Sequence, residues 1–313
     1  MSNIKILTDK DLSSYNFGEK TEVIKVIIND LDKFNGDDGV TVIAGSRAMA
    51  IKCAEMDLPS LKLFQLTSAG FDGVPCEKYA QKDIAVTNAG SVYSVPIAET
   101  VVFGILQMAK KIRKNPNNRH FNILRGYDRY ITEVDGKKVL IMGAGNIGTA
   151  VADRLLGFGM EIDGYDPYCP EKEQYKKILR TKEDLKNNLG NYDYIVSTLP
   201  DNDDTKKFIN KELFECMKNT AVIVNVGRKA VFDNEDFYVA LKSGKIGGAV
   251  LDMFEKIPNP ITNKFRRLKN VVILPGVAAI SKEVNLRLKE HMAKNISACL
   301  KGEELINVIN GVK

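Results

Sequence analysis

Histidine is nearly missing from this chain: its 313 residues include two, His120 and His291. Imidazole is the side chain whose ordinary pKa suits proton transfer near neutrality, so histidine-centred acid–base chemistry has only these two positions open to it. His120 falls in a loop after a long helix and His291 inside a C-terminal helix, and surface or packing roles are the expectation for both. Cysteine is scarce and scattered, at Cys53, Cys76, Cys169, Cys216 and Cys299. The count is odd, with no CxxC and no His/Cys cluster, which excludes metal-ligand spacing and a disulfide framework; reduced thiols in a cytoplasmic protein are expected. No apolar run approaches the roughly 20 residues that span a bilayer, and MSNIKILTDKD has no signal-peptide core. Charge of one sign is missing too: 45 basic residues stand against 40 acidic, net +5. That mixed surface gives nucleic-acid binding no support. What remains, 44% hydrophobic and 27% charged, is an ordinary globular balance in a chain long enough for two domains.

Two regions alternate apolar runs with helix-compatible polar stretches, the rhythm of a parallel sheet covered by helices. In the first the runs are Ile4–Leu7, Val40–Ala44, Leu63–Leu66 and Ala85–Thr87. A helix with Pro96 in its first turn then runs toward Pro116 and is apolar on more than one face; it reads as a connector buried between packed layers. The second region has KVLIMG (138–143), EIDGY (161–165), YIVSTL (194–199), AVIVNV (221–226), GAVLD (248–252) and VVIL (271–274). Nearly continuous apolar runs of this kind fit strands covered on both faces. A last helix spans about Lys282 to Lys301, with Ser281 before it, Gly302 after it, and Val284, Leu288, Met292, Ile296 and Leu300 on one face.

The strongest motif is KKVLIMGAGNIGTAVADRLLGFGMEIDGYD. Gly143, Gly145 and Gly148 form G-x-G-x-x-G straight after a strand, and a helix follows with Ile147, Val151, Leu155 and Phe158 near one face. A second strand ends in Asp166, 18 residues past Gly148. Gly143 permits the tight turn, Gly145 lets the backbone approach a pyrophosphate, and Gly148 lets helix and strand pack closely. Asn146 and Ile147 open the helix, whose free N–H groups and partial positive charge suit phosphates. Asp166 is placed to accept from the adenosine ribose hydroxyls, and its charge repels a 2′-phosphate, which favours NAD over NADP. A Gly-rich structural turn is the plain alternative; strand, helix, second strand and terminal acid in register argue against it.

Six segments then occur in order: LTSAGFDGV (66–74), TNAGSVYSVPIAE (87–99), GAGNIG through Asp166, STLPDNDDTKKFIN (197–210), VNVGRKAVFDNEDFYVAL (224–241) and GAVLDMFEKIP (248–258). Together they resemble the D-isomer-specific 2-hydroxyacid dehydrogenase family over nearly the whole length. The resemblance implies an α/β protein in which a Rossmann-type doubly wound coenzyme domain, 96–284, is inserted into a flavodoxin-like substrate domain, 1–95 and 285–313. It implies a cleft between the domains and a homodimer. By the same resemblance, backbone N–H groups of Ser68, Ala69 and Gly70 hold a substrate carboxylate. Leu199, Pro200, Thr205, Val226 and Gly227 line the coenzyme, Asp252 lies near the nicotinamide amide, and Arg228 binds and polarises a small anionic substrate, its fork matching carboxylate and carbonyl.

The family also uses a histidine as proton donor and a glutamate to orient it. Here the Glu-Pro position reads Ile257-Pro258 and the Pro-His position reads Pro275-Gly276. The flanking letters still align, so both members of the acid pair are substituted together. Lys229, Tyr93 and Glu255 are the weighed replacements; solvent exposure, hinge packing and a surface acid are their plain readings. The expected function is an NAD-dependent oxidoreductase acting on a small 2-keto or 2-hydroxy acid with altered acid–base chemistry. The alternatives are a catalytically inactive NAD(H)-binding protein, or a cleft that takes a small acid without redox chemistry.

Overall fold

The computed structural model describes residues 4–111, 131–252 and 264–312. In chain order the first strands and helices are β1 (Ile4–Thr8), β2 (Thr21–Lys25), β3 (Val40–Gly45), α1 (Arg47–Cys53), β4 (Leu63–Leu66), α2 (Cys76–Gln81) and β5 (Ala85–Thr87). There follow α3 (Ser94–Ala109), β6 (Lys138–Met142), α4 (Asn146–Leu156), β7 (Glu161–Tyr165), β8 (Ile178–Leu179), α5 (Lys182–Asn188) and β9 (Tyr194–Ser197). Last come α6 (Lys211–Cys216), β10 (Val222–Asn225), α7 (Asn234–Ser243), β11 (Gly248–Leu251), β12 (Val271–Ile273) and α8 (Lys282–Lys301). They form two compact units, Met1–Tyr93 with Ser281–Lys313, and Ser94–Ile280.

In the first unit the strand order is β2-β1-β3-β4-β5, parallel throughout, the flavodoxin-like order. Successive side chains of a strand face opposite ways, and both faces here are covered. Ile6, Val42, Leu63 and Ala85 pack with Val284, Leu288, Met292 and Ile296 of α8. Leu7, Ile43, Phe64 and Val86 pack with Met49, Ala50 and Tyr79 of α1 and α2. That is why these strands read as largely apolar runs. α8 keeps the expected bounds, with Ser281 Oγ accepting from the Val284 N–H at 3.3 Å. The sequence reading missed β2: TEVIK is an edge strand, only partly buried, and carries no apolar run.

In the second unit the order is β12-β11-β10-β9-β6-β7-β8, all parallel. Counted from β6, this is the doubly wound arrangement that reverses direction between its first and fourth strands. The point of reversal, between β6 and β9, is where such sheets open a crevice at the strands' C-terminal ends. Phe232, Phe237 and Phe214 stack in the core, with centroids 4.8 Å and 5.3 Å apart. Three expectations change. The helix entering this unit ends at Ala109 and packs within it: a Cβ on Gly104 would lie 3.0 Å from Val250 Cγ1 of β11. The remainder of the expected connector, to Pro116, lies outside the described residues. VVIL forms an edge strand whose Val272 and Ile273 stay partly exposed. The buried face of α4 is Gly148, Val151, Ala152 and Leu155; Ile147 is half-buried, and Phe158 lies beyond the helix and is exposed.

Candidate functional site

The glycines after β6 differ sharply in what surrounds them. Gly143 has φ +96°, and a Cβ there would meet Thr198 Oγ1 at 2.6 Å. A Cβ on Gly148 would lie 2.0 Å from the carbonyl oxygen of Gly143, so any side chain would drive α4 away from the strand. Gly145 is exposed and has no atom within 4 Å of an added Cβ. Two glycines are therefore required by the protein's own packing, and the third leaves open space before the first turn of α4. That turn's N–H groups have no intrahelical acceptor, and Gly145, as N-cap, supplies no side chain to take them. Asn146 and Ile147 stand at this opening. Open space, free donors and the dipole of a helix of 11 residues fit a dinucleotide's pyrophosphate.

Asp166 closes the motif, but its carboxylate already has work. Oδ2 accepts from the Ala144 N–H at 3.0 Å, and Oδ1 from the N–H groups of Tyr168 and Cys169 at 2.9 and 3.0 Å. Three of the roughly four lone-pair positions of a carboxylate are thus taken: one ties the glycine turn to the end of β7, and two cap the turn that follows β7. Two cations that the sequence reading missed sit here. Lys172 Nζ donates to Ala144 O at 2.7 Å and to Thr149 Oγ1 at 2.9 Å. Arg180 donates to the carbonyls of Asp166 and Cys169 and pairs with Glu171 at 2.6 Å. Both come from a polar stretch with no motif, so only the fold of the loop reveals them.

Across the point of reversal, Leu199 is buried and Pro200 exposed. Thr205 Oγ1 donates to Pro200 O at 2.7 Å and shapes that loop. Gly227 is forced by neighbours, since its Cβ would lie 2.7 Å from Leu199 O; Val226 beside it is buried. Arg228 is half-buried at the start of the short turn Lys229–Val231, with Nη1 donating to Gly227 O at 3.3 Å. Ser197 and Asn225, fully buried at the C-terminal ends of β9 and β10, each carry a side-chain atom, Oγ and Nδ2, without a hydrogen-bond partner among the described residues.

Asp252 follows β11 and is buried. Its Oδ1 accepts from the Val277 N–H at 2.9 Å and its Oδ2 from that of Ala278 at 3.3 Å. It straps the loop that contains Gly276 to the C-terminal end of β11. Burial raises its carboxyl above the ordinary 3.8, partly offset by the backbone donors of Val277, Ala278 and Gly276. A raised folded-state pKa favours folding fully below the ordinary value and loses that advantage as pH rises through the folded one. The stability of Asp252→Asn relative to the parent should therefore climb as pH rises from below 3.8, then level off. Thermal unfolding of both proteins across acidic to neutral pH checks this, and a constant difference would show that folding does not shift the Asp252 pKa.

The loop after β4 has a different character. Its four consecutive carbonyls are all bonded. Thr67 O accepts from Tyr93 Oη at 2.5 Å, Ser68 O from the Ala89 N–H at 3.0 Å, Ala69 O from Asn88 Nδ2 at 2.8 Å, and Gly70 O from Ser68 Oγ at 2.7 Å. The N–H groups of Ser68, Ala69 and Gly70 have no acceptor among the described residues. Three successive unpaired N–H groups on an immobilised backbone are the donors that an anion nest would need. Asp72, further along the loop, meets Arg47 of α1 at 2.9 Å.

The weighed proton donors fare unequally. The Tyr93 hydroxyl is committed to Thr67 O, and burial raises its phenol pKa further. His291 is buried in α8 against Asn88 O. Gly276 has φ +73°, a left-handed conformation. His120, Glu255 and Ile257 lie outside the described residues. No group of three or more His, Cys, Asp or Glu side chains suited to a metal exists among the described residues, and none of their helices is long and apolar enough to cross a membrane.

Comparison with known proteins agrees with this geometry. The family model described as "D-isomer specific 2-hydroxyacid dehydrogenase, NAD binding domain" matches residues 102–278. A glyoxylate reductase of Korarchaeum cryptofilum is 32% identical over 262 residues, 80% of this chain and 77% of that protein. A D-3-phosphoglycerate dehydrogenase of Methanocaldococcus jannaschii is 32% identical over 286 residues; the match takes in 90% of this chain but 53% of that longer protein. In structure, the holo form of Rhodotorula graminis D-mandelate dehydrogenase superposes with a TM-score of 0.85 at 21% identity, covering 100% of this chain and 99% of that one. A glycine turn at the reversal point of a doubly wound sheet, a flavodoxin-like partner unit and these similarities together make the chain a member of the D-isomer-specific 2-hydroxyacid dehydrogenase family.

Proposed function

We propose that this protein is an NAD-dependent oxidoreductase that interconverts a small 2-keto acid and its 2-hydroxy acid. The observation that carries the reading is the contrast among the three glycines: two are demanded by internal packing, and Gly145 is bare toward open space. A turn with a purely structural job has no need of the third. Gly143, Gly145, Asn146, Ile147 and Gly148 would hold the pyrophosphate, the remaining lone pair of Asp166 the ribose, and Leu199, Pro200, Thr205, Val226, Gly227 and Asp252 the rest of the coenzyme. When bound, the nicotinamide supplies or accepts hydride.

The chain's own residues then bind and polarise. The N–H groups of Ser68, Ala69 and Gly70 take the substrate carboxylate, held by a backbone whose carbonyls are already paired. Arg228 binds the carbonyl oxygen and stabilises the negative charge that develops there. Its charge-assisted bonds are worth about 1.5–3 kcal/mol, so Arg228→Ala should lower kcat/KM for a keto acid by about 10- to 150-fold. NADH oxidation against glyoxylate, pyruvate, hydroxypyruvate and branched-chain keto acids reads this; undiminished turnover in the variant removes Arg228 from the site. Asp166 would favour NAD over NADP by charge. The free thiols suit a cytoplasmic protein, and we take the working form to be a homodimer.

A second reading, an NAD(H)-binding protein without turnover, is favoured by Gly276. The backbone there is left-handed and carries no titratable group. NADH binding without oxidation by any of these keto acids would decide for it.

A further inference from the structure

The anion nest is held from behind, and one side chain anchors the support. Asn88 follows β5 and makes two of the bonds that fix the 67–70 carbonyls: its Nδ2 donates to Ala69 O, and its peptide with Ala89 donates to Ser68 O. The carbonyl oxygen of Asn88 is met at 2.9 Å by Nε2 of His291, which is 203 residues away in sequence. A carbonyl only accepts, so Nε2 carries the proton. Burial holds the imidazole below its ordinary pKa, which leaves it neutral at physiological pH with Nε2–H as donor.

The imidazole has a rigid mounting. His291 lies one turn before Asn295, which is fully buried and bonded to Gln65 Oε1 at 2.6 Å and to both backbone groups of Ile306 at 2.8 and 3.0 Å. Gln65 belongs to β4, the strand that leads into the nest, and also accepts from Thr87 Oγ1 of β5 at 2.8 Å. The register of α8 against β4 and β5 is thus set by buried polar bonds, and His291 is delivered to Asn88 at a defined height.

We propose that His291 is a positioning residue for substrate binding, a strut that holds Asn88 and through it the carbonyls of Ser68 and Ala69, so that the N–H groups of the nest stay turned to the anion. The proposal rests on the reading of the 68–70 loop as the carboxylate site. The imidazole touches no substrate and donates no proton to it.

The test uses the full chain and the variants His291→Leu and His291→Gln, since the glutamine amide can place an N–H where Nε2 stood. Expected for His291→Leu are shifted or broadened amide resonances of Ser68, Ala69 and Gly70. Its KM for the keto acid and its Kd for oxalate should rise about five- to tenfold, the range for a lost neutral hydrogen bond. Neither kcat nor the Kd for NADH should change by more than about twofold. His291→Gln should restore all three amides and most of the KM. Unchanged amides, a parallel loss of NADH affinity, or a glutamine variant no better than leucine would overturn the proposal. Should the leucine variant fail to fold, the imidazole nitrogen spectrum of the parent decides: a proton on Nδ1 with Nε2 bare overturns the strut. If the amides respond as expected while the parent binds neither oxalate nor keto acid, the strut stands and the carboxylate reading of the loop is what falls.

Discussion

Gly145→Ala should leave folding stability within about 0.5 kcal/mol of the parent, as expected of an exposed substitution without contacts, yet weaken NADH binding by about 100-fold or more. The new methyl group meets nothing in the protein and occupies the space through which a pyrophosphate would approach the first turn of α4. Losing two charge-assisted bonds there, at about 1.5–3 kcal/mol each, corresponds to roughly 10²- to 10⁴-fold in affinity. Gly148→Ala should behave differently. Its Cβ would fall 2.0 Å from Gly143 O, far inside van der Waals contact, so α4 must shift. Overpacking of this kind costs about 1–3 kcal/mol or more, and melting temperature and NADH affinity should fall together. Fluorescence titration with NADH beside thermal unfolding separates the two outcomes. If Gly145→Ala binds NADH like the parent, the turn is not a coenzyme cradle and the functional proposal loses its main support.

Restoring the family's acid pair is the second large effect. A positioned general acid contributes about 10²–10⁴-fold, and Gly276→His together with Ile257→Glu should raise keto-acid reduction toward that range. Gly276 adds a cost that its letter alone does not reveal. A side chain at φ +73° is strained by about 1–2 kcal/mol. The single variant Gly276→His should therefore be less stable than the parent by about that amount and show little gain, because an imidazole without its carboxylate partner is neither oriented nor held protonated. Kinetics of both single variants and the double variant resolve this through the interaction between the two positions. A double variant with intact NADH affinity and no gain would favour the reading without turnover.

Much of the fold was legible because it rests on patterns local to the chain. β4 and β5 appear at their observed bounds because parallel strands covered on both faces are apolar at most positions, the exceptions being Gln65 and Thr87, which bond to each other. α8 appears whole because its stripe recurs every fourth residue between a capping serine and Gly302. The glycine turn was legible for a steric reason, as only glycine fits at Gly143 and Gly148. Legibility failed where burial is partial: β2 is a charged edge strand, and β12 looks like a core strand but lies at the sheet margin. It failed also for side chains whose role depends on a distant partner. Lys172 and Arg180 lie in polar sequence, and nothing in their neighbours tells of the carbonyls they reach.

Periodicity and glycine placement by themselves determined that the chain is α/β and that one part carries a dinucleotide turn, because both follow from burial or sterics within a few consecutive residues; the substituted acid pair was legible only through the family resemblance. Only the tertiary structure decided the strand orders, the engagement of Asp166 and Asp252 by backbone donors, the pairing of every carbonyl behind the 68–70 loop, and the contact of His291 with Asn88. The reason is physical: a residue's pattern of burial is written along one dimension, whereas a hydrogen bond between groups 203 residues apart exists only after the layers have packed.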